Sequence, residues 1–535
     1  MGHVWALVTA ATWSAVSASS QFHLSLVGKG NEDRVHLMLD WVTHSTCNAS
    51  SLLYGTSASA LDSRVDGQRA GLVTEAAGET VTCWSALLPN LQPEATIYYA
   101  VMSDDATQQR TTLDFEALTH VDRAVGSDVR NFTVPANDIT WAVFGDLGAP
   151  IQGHAAAVSL PALKRALAQD KYSGILNLGD LSYELTEANG QNYMDELEAV
   201  TSRVPMMTTV GNHEYQYGLA PSLTLQNYYR RFQGIQLGAG AASGSASNEF
   251  YSFTSGRIHF VFLNSEIYGD EAFVALQEDG KTWRPDDGAR EVARAAQVKW
   301  LEYDLSRVER ATTPFVVLCG HRPPFKTPKG LDTHGNRFAA DIVPLLSKYH
   351  VDLYLAGHEH TYLLFEASTW HGYTIPPIIV SGSPGNNEYI RKEAELKIQG
   401  FHWKTLIPKY GYGYLTASDD ALEWQWGSAA SDATSEPTSA AWHVLDAVKF
   451  PKQLLGARYA AAGAAVTTPM DVAQAWKSAR GASTHKGGTR AAHDTSSGDG
   501  RTRSTTLPTS VATSLPVLDV IEWLLLAGGM AVMLR

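Results

Sequence analysis

Apolar runs along the central part of the chain each end on a glycine and then on a polar side chain. The run over 175–178 leads into Gly179 and Asp180, and Tyr183 follows three residues later. Short apolar runs bounded by turn residues are typical of strands that are buried on both faces. Four further runs end in the same way, and the polar residues after them are Asp146, Asn212 with His213, His321, and His358 with His360. We therefore predict that five strand ends bring these side chains to one edge of a sheet.

Two kinds of pattern divide the chain. From residue 20 to residue 135, short alternating or apolar segments separated by Gly, Asn and Pro predict about seven strands of a β-sandwich. From residue 136 to residue 452, strands alternate with helical stretches, which predicts a layered α/β domain. The helical stretches are 155–169, 193–202, 295–308 and 338–349. The segment 234–247 is rich in Gly, Ala and Ser, and we expect it to be a mobile loop.

The two ends of the chain differ from its centre. Residues 1–19 contain a short apolar run followed by small residues and predict a secretory signal, although no Lys or Arg precedes the run. Glycosylation sequons at Asn48 and Asn131 agree with a secreted or vacuolar protein. Residues 453–514 have the composition of a flexible tail.

The last segment, 515–535, is hydrophobic but carries Asp519 and Glu522, which disfavour a simple membrane span. It loosely matches a lipid-anchor signal, against which Arg535 counts. We favour a disordered tail with an apolar end over a membrane anchor.

Composition narrows the function classes. A length of 535 residues predicts two domains. The net charge of −14 disfavours nucleic-acid binding, which needs a basic surface. Cys47 and Cys83 lie in the same region and could form a disulfide, with three reduced thiols as the alternative, and Cys319 is expected to be an inert core thiol.

The strand-end residues form a ligand set of oxygen and nitrogen atoms without a thiolate. Such a set excludes a structural zinc finger and suits harder first-row metal ions. Seven ligands are too many for one ion that keeps an open position, whereas they suit two ions that share a carboxylate. Two ions a few ångströms apart can clamp the attacking and leaving oxygens of a displacement at phosphorus.

The motifs GDLG, GDLSY, GNHE, GHRPP and GHEH, in this order, resemble those of the purple acid phosphatases within the calcineurin-like metallophosphoesterases. The resemblance covers residues 20–452. It implies a layered β-sandwich flanked by helices of the calcineurin-like type, preceded by an all-β domain like fibronectin type III. Other calcineurin-like enzymes usually carry a His two residues after the first Asp, whereas this chain has Gly148 there and supplies Tyr183 instead.

The resemblance also implies a division of the ligands. The anionic ones would bind Fe(III), and the neutral ones would bind a divalent Zn, Fe or Mn. Fe(III) would be bound by Asp146, Asp180, Tyr183 and His360. The divalent ion would be bound by Asn212, His321 and His358, with Asp180 bridging both ions.

By the same resemblance, the chain would hydrolyse small phosphate monoesters at acidic pH, by attack of a metal-bound hydroxide on phosphorus. His213 is a candidate for contacting the phosphoryl group or protonating the leaving group; alternatively it orients Asn212 or Glu214. Arg322 is a candidate phosphate ligand or the partner of a structural ion pair, and His334 is a further candidate for substrate contact. The family usually has Glu-Arg where this chain has Leu363 and Leu364, which alters the support of the last motif.

Two other functions remain open at this stage. The same metal core could serve a phosphodiesterase or nucleotide pyrophosphatase. A surface binding protein that uses the β-sandwich and keeps a silent metal site is the non-enzymatic alternative, and the complete ligand set argues against it.

Overall fold

The structure is a computed structural model, and it describes most of the chain between residues 19 and 453. The described residues are 19–29, 34–103, 129–136, 138–149, 158–215, 225–269, 274–276, 283–324, 333–385, 390, 393, 403–428, 442–453 and 474. All of them belong to one compact unit, residues 1–487. The predicted signal segment, tail and hydrophobic C-terminal segment lie almost entirely outside the described residues.

The first described segments are strands, as the alternating pattern predicts. They are β1 (Ser19–Lys29), β2 (Val35–His44), β3 (Ser50–Gly55), β4 (Ser63–Asp66), β5 (Gln68–Thr74), β6 (Thr80–Leu91), β7 (Thr96–Ser103) and β8 (Arg130–Thr133). They form two four-stranded sheets with the orders β1-β2-β6-β5 and β4-β3-β7-β8. Each strand pair is antiparallel.

The following strands build two larger sheets and two short hairpins. They are β9 (Trp141–Phe144), β10 (Gly174–Asn177), β11 (Met206–Thr208), β12 (Tyr251–Ser255), β13 (Ile258–Leu263), β14 (Val274–Leu276), β15 (Trp283–Pro285), β16 (Phe315–Gly320), β17 (Leu353–Ala356), β18 (Tyr362–Phe365), β19 (Ser368–Trp370), β20 (Tyr373–Ile375), β21 (Ile378–Ser381), β22 (Thr405–Ile407), β23 (Tyr412–Ala417), β24 (Ala421–Ser428) and β25 (His443–Pro451). The larger sheets have the orders β11-β10-β9-β23-β24-β25 and β12-β13-β16-β17-β21-β18-β22.

The two larger sheets pack face to face around aromatic side chains. Trp141 of β9 lies against Phe253 of β12 and Phe260 of β13, with ring centroids 5.8 and 5.3 Å apart. At another point Trp426 of β24 stacks on Tyr362 of β18 at 4.8 Å. This layered sandwich, with helices beside it, is the predicted fold class.

Each of the four predicted helical stretches corresponds to a helix, although the ends differ, and a further helix over Gln226–Arg231 was not predicted. They are α1 (Leu160–Leu167), α2 (Glu187–Thr201), α3 (Gln226–Arg231), α4 (Asp287–Ser306) and α5 (Thr333–Lys348). Helix α4 begins eight residues earlier than its apolar pattern suggests, because the side chain of Asp286 caps it by accepting a hydrogen bond from the Ala289 N–H at 3.0 Å. Within the described residues, none of the helices combines the length and the apolar character that a membrane crossing needs.

The prediction of a mobile loop over 234–247 is wrong. Residues 233–243 are helical, with a π-helical stretch at Gln236–Gly240, and five of these eleven residues, 234, 235 and 238–240, are buried. Their glycines permit close packing: a Cβ at Gly234 would lie 2.2 Å from the Asp40 carboxylate, and one at Gly238 would lie 2.9 Å from Met38 and Val27. Small residues therefore serve here for contact with β1 and β2, which composition alone does not reveal.

The N-terminal strands contact the rest of the chain through buried polar groups. Arg231 of α3 forms an ion pair with Glu75 at 2.9 Å, and both side chains are almost fully buried. The Thr201 hydroxyl of α2 donates to the Phe22 carbonyl of β1 at 3.0 Å. The predicted domain boundary near residue 135 stays a prediction, since both parts belong to the same compact unit.

The alternative of reduced cysteines holds, and the Cys47–Cys83 disulfide does not form. Cys47 packs in the main core and its thiol donates to the Ala49 carbonyl at 3.1 Å, whereas Cys83 packs in a separate small cluster with Val42 and Val73. Burial raises the pKa of Cys83 to about 12 and also raises the pKa of Cys319, which agrees with inert core thiols.

Candidate metal centre

Parallel strand pairing brings the five predicted strand ends together. Strands β9, β10 and β11 are parallel neighbours in one sheet, and β16 and β17 are parallel neighbours in the other. The polar residues directly follow their carboxyl ends, where neighbouring parallel strands meet at one edge. Asp146, Asp180, Tyr183, His321, His358 and His360 are buried, and Asn212 and His213 are half-buried.

One group of donor atoms comes from Asp146, Tyr183 and His360. The Tyr183 hydroxyl lies 2.7 Å from Nε2 of His360. The same nitrogen lies 3.3 Å from Oδ1 of Asp146. This carboxylate oxygen is buried and accepts no hydrogen bond from the described residues. A buried carboxylate oxygen that accepts no hydrogen bond is suited to binding a cation.

A second group of donor atoms comes from Asp180, Asn212, His321 and His358. Nε2 of His321 lies 3.2 Å from Oδ2 of Asp180 and 3.2 Å from Oδ1 of Asn212. Ligand atoms of Asp180, His321 and His358 all lie within 4.8 Å of one another. The Leu178 carbonyl accepts a hydrogen bond from Nδ1 of His321 at 2.8 Å, which leaves Nε2 as the nitrogen available for a metal.

Several of these residues have strained backbones. Asp146, Asp180, Tyr183 and His358 have φ values of +60°, +49°, +55° and +68°. A left-handed conformation at a residue other than glycine costs on the order of 1–3 kcal/mol and persists where the surroundings impose it. Here the Asp146 N–H donates to the Gly179 carbonyl at 2.9 Å, and the His358 N–H donates to Oδ2 of Asp146 at 2.8 Å. Strain concentrated at one edge of the sheets marks a functional site.

The glycines before these residues make room for the approach of the strand ends. A Cβ at Gly211 would lie 2.2 Å from Oδ1 of Asp180, and one at Gly357 would lie 2.5 Å from Oδ2 of Asp146. No side chain fits at either position without moving the carboxylate. The repeated glycine in the sequence is thus a steric requirement of the site.

Glu214 organises the loop that carries Asp180, a role that the sequence analysis did not assign. Its carboxylate accepts the N–H groups of Asp180 and Leu181 at 2.9 Å each and that of Gly211 at 2.8 Å. Burial, followed by the nearby Asp180 charge, raises the pKa of Glu214, whereas the amides act in the opposite direction. The capping position of Glu214, three residues after Gly211, is the sequence signal for this role.

Arg322 is part of an ion pair at the edge of the second donor group. Its Nε lies 2.8 Å from the buried carboxylate of Glu266, which is the ion-pair alternative of the sequence analysis. Its other nitrogens lie 2.9 Å from Nε2 of His358 and 3.2 Å from Oδ1 of Asn212. Contact between Arg322 and phosphate stays a prediction. The sequence motifs do not indicate Glu266, because its role depends on the contact with Arg322, which is 56 residues away in sequence.

The other two candidates for substrate contact are His213 and His334, and the structure describes the side chain of His213 alone. The His213 N–H donates to Oδ1 of Asp180 at 2.9 Å, and the His213 ring lies 4.4 Å from the Tyr183 ring. His213 is therefore beside both donor groups. His334 belongs to the first turn of α5, and its side chain lies outside the described residues.

Charge interactions in the site favour cation binding. Burial acts to lower the pKa of His321, but Asp180 overcomes it and raises that pKa to about 10. Burial alone would raise the pKa of Asp180, but the neighbouring His321 holds the pKa of Asp180 below its usual range. Burial and then Arg322 lower the pKa of His358, which favours the neutral imidazole; its Nε2 accepts a hydrogen bond from Arg322, which a metal at this nitrogen would replace. The oxygen and nitrogen atoms of the two groups are of the kind that first-row metal ions bind.

The comparison with protein families identifies the class. The family model described as calcineurin-like phosphoesterase matches residues 139–362, which contain all the strand ends described above. Residues 139–362 are therefore similar to the calcineurin-like phosphoesterase domain, in agreement with the predicted resemblance.

The curated relatives are named acid phosphatases. The chain is 28% identical over 319 residues to mouse acid phosphatase type 7, with 52% of this chain and 63% of that protein covered. It is 30% identical over 302 residues to the human protein of the same name, with 51% and 60% covered. Purple acid phosphatase 18 of Arabidopsis thaliana is 28% identical over 440 residues, with 80% and 84% covered. The chain thus spans somewhat less than two thirds of the two mammalian relatives.

Solved structures agree on the fold. Purple acid phosphatase PPD1 from yellow lupin seeds has a TM-score of 0.54 at 16% identity, with 81% of this chain and 74% of that chain covered. PhoD has a TM-score of 0.52 at 12% identity, with 88% and 99% covered. At such identities the likeness concerns the fold alone.

Proposed function

We propose that the chain is a binuclear metallophosphatase that hydrolyses small phosphate monoesters in an acidic range. The observation that carries this proposal is the convergence of two groups of metal-ligand atoms on one edge of the sheets, with Asp180 near enough to Asp146 for its charge to raise the pKa of Asp146. Acid phosphatase relatives support the reaction class. A secreted or vacuolar location belongs to the same proposal.

The proposed ligand roles follow the two donor groups. The anionic group of Asp146 and Tyr183, with His360, would hold Fe(III), because hard anionic donors favour a trivalent ion. Asn212, His321 and His358 would hold a divalent Zn, Fe or Mn. Asp180 would bridge the two ions. When bound, such a pair supplies Lewis acidity that activates water and neutralises charge on a phosphoryl group.

The remaining residues would bind and orient. His213 stands beside both donor groups with a half-exposed ring, so it could donate a proton to the leaving oxygen or hold a phosphoryl oxygen. Arg322, fixed by Glu266, would add positive charge at the side of His358 and Asn212. Glu214 would keep the Asp180 loop in its strained conformation.

Hydrolysis of an aryl phosphomonoester beside the matching diester, at pH 5 and at pH 7.5, tests the proposal. We expect turnover of the monoester, highest at pH 5. Faster hydrolysis of the diester would show that the chain is a phosphodiesterase and would contradict the proposed monoesterase activity. Absence of turnover of either ester in metal-loaded protein would refute the enzymatic function.

A further inference from the structure

A second cavity lies at the opposite end of β9 from the candidate metal centre. It has a volume of about 490 Å³ and is bounded by α1, by the turn that follows it, and by one face of β23, β24 and the start of β25. Thr140, which precedes β9, lines this cavity, whereas Asp146 follows the other end of β9. The four residues of the strand separate the two places by about 13 Å. A cavity of this size is in the range of small-molecule pockets.

Aromatic rings form one wall of the cavity. The ring of Tyr414 lies 4.7 Å from that of Trp442, at an interplanar angle of 62°. The Tyr412 hydroxyl lies 3.1 Å from the Tyr414 hydroxyl, and this hydrogen bond holds the Tyr414 ring in place. Gly427 provides the space for the indole, since a Cβ there would lie 2.7 Å from its ring atoms. The wall is thus built into the sheet.

The indole N–H of Trp442 has no acceptor in the described part of the chain, although it is buried. Buried donors are nearly always paired in folded proteins. Trp442 also lines the cavity, so a ligand there could supply the acceptor.

Two cationic side chains lie on the opposite wall of the cavity. Arg165 and Lys171 line the cavity, and neither forms an ion pair with any residue that the structure describes. Their neighbours differ: Lys164 pairs with Glu196 at 2.9 Å, and the one carboxylate of the cavity, Glu423, pairs with Lys449 at 2.7 Å. The unpaired charge of the cavity is therefore positive, in a chain with a net charge of −14.

We propose that this cavity binds a small aromatic anion. The planar ring of the ligand would pack against Tyr414 and Trp442, and its acidic group would lie between Arg165 and Lys171. Edge-to-face aromatic contact and charge-assisted hydrogen bonds provide the affinity. The site is separate from the metal centre, and its occupancy does not depend on the proposed phosphatase reaction.

Calorimetric titration of the full chain with naphthalene-2-sulfonate tests the proposal, because a sulfonate cannot be consumed by a phosphatase. We expect saturable binding with one site per chain. Binding of neutral 2-naphthol and of methanesulfonate should be at least about tenfold weaker, since each lacks one of the two recognised features. Equal binding of 2-naphthol, or no saturable binding of the sulfonate, would overturn the proposal.

Substitutions in the cavity and in the metal centre test where naphthalene-2-sulfonate binds. The double substitution Arg165→Ala with Lys171→Ala changes exposed side chains, so the fold should persist, and we expect about tenfold weaker binding. Lys164→Ala, on the same helix but outside the cavity, should leave the affinity unchanged. Asp180→Asn should also leave it unchanged. Loss of binding in Asp180→Asn with normal binding in the double variant would place the probe at the metal centre and refute the cavity.

Discussion

Tyr183 is the residue on which the proposed choice of metal depends most. Its hydroxyl contacts His360, its backbone is in the left-handed region, and Tyr183 and Asp146 are the two residues of the first group that can bind a metal as anions. A tyrosinate bound to Fe(III) gives a visible charge-transfer absorption, whereas a divalent zinc centre gives none.

We therefore expect Tyr183→Phe to remove any visible absorption band of the purified protein. Absorption spectra of the wild-type protein and the variant, at equal iron content, provide the measurement. Tyr172→Phe is the matched control, because Tyr172 is buried but donates only to the Leu163 carbonyl, at 3.0 Å. A band that persists in Tyr183→Phe would show that Tyr183 does not bind the iron.

Asp40 and His23 form a buried pair in the N-terminal strands, with Nε2 of His23 3.3 Å from Oδ2 of Asp40. Burial raises the pKa of Asp40 to about 7 and lowers that of His23 to about 4. The folded state therefore binds one proton more than the unfolded state at Asp40, and one less at His23, between about pH 4 and 6.5. The two effects offset each other in this range.

Asp40→Asn separates the two effects. Asn can keep the Gly234 N–H bond of 2.8 Å through its oxygen and can donate to His23 through its amide. Stability from the protonated Asp40 is lost as the pH rises toward 7, and the variant avoids this loss. Its free energy of unfolding relative to wild type should rise by roughly 3 kcal/mol between pH 5 and pH 8, at about 1.4 kcal/mol per pKa unit.

Chemical denaturation at both pH values measures this difference. Asp170→Asn, at an exposed position, should follow the wild-type protein at both pH values. A constant difference between Asp40→Asn and wild type would show that Asp40 is already ionised at pH 5.

At the scale of elements, the strand ends were predictable and their supports were not. Apolar runs that end on Gly and a polar residue locate the ends of β9, β10, β11, β16 and β17, because each is buried on both faces. The role of Glu266 was not predictable, since it depends on a contact that only the folded loops create, whereas for Glu214 the local capping position was a signal but its bonds to Asp180 and Leu181 were not. Residues 234–247 were mistaken for a loop, because glycine that permits close packing has the same composition as glycine that permits motion.

Gly211→Ala tests the steric role of the glycines. Its Cβ would lie 2.2 Å from Oδ1 of Asp180, so the loop must shift and the carboxylate must leave its position. We expect turnover to fall by about tenfold to a hundredfold, with a corresponding loss of bound metal. Gly288→Ala in α4 is the control, because the nearest atom to its Cβ would be 3.4 Å away and alanine favours helices. Normal activity and metal content in Gly211→Ala would contradict the steric account.

At the scale of the whole molecule, the N-terminal strands are joined to the metallophosphoesterase part through the buried pair of Arg231 and Glu75. Arg231→Ala should lower the free energy of unfolding by about 3–5 kcal/mol, because it leaves a buried carboxylate without its partner. Arg64→Ala removes the exposed pair with Asp66, which water screens, and should leave the free energy of unfolding nearly unchanged. Equal effects of the two substitutions, measured by denaturation, would show that the buried contact does not couple the two parts.

The sequence was sufficient for the class of fold and for the gathering of the strand-end residues at one edge, because both depend on short local patterns that repeat in order; their roles as metal ligands stay a prediction. The contacts of Arg231 with Glu75 and with Gln21 were not predictable, since each joins residues more than a hundred positions apart. The second cavity likewise depends on the placement of α1 against β23 to β25, which no local pattern encodes.

The metal content of the purified chain tests the central claim most directly. Elemental analysis should find two ions per chain, at least one of them iron, and Asp180→Asn should retain one or none, because the bridging carboxylate is lost. A wild-type protein that binds a single ion, or none after incubation with iron and zinc, would contradict the binuclear centre and with it the proposed phosphatase.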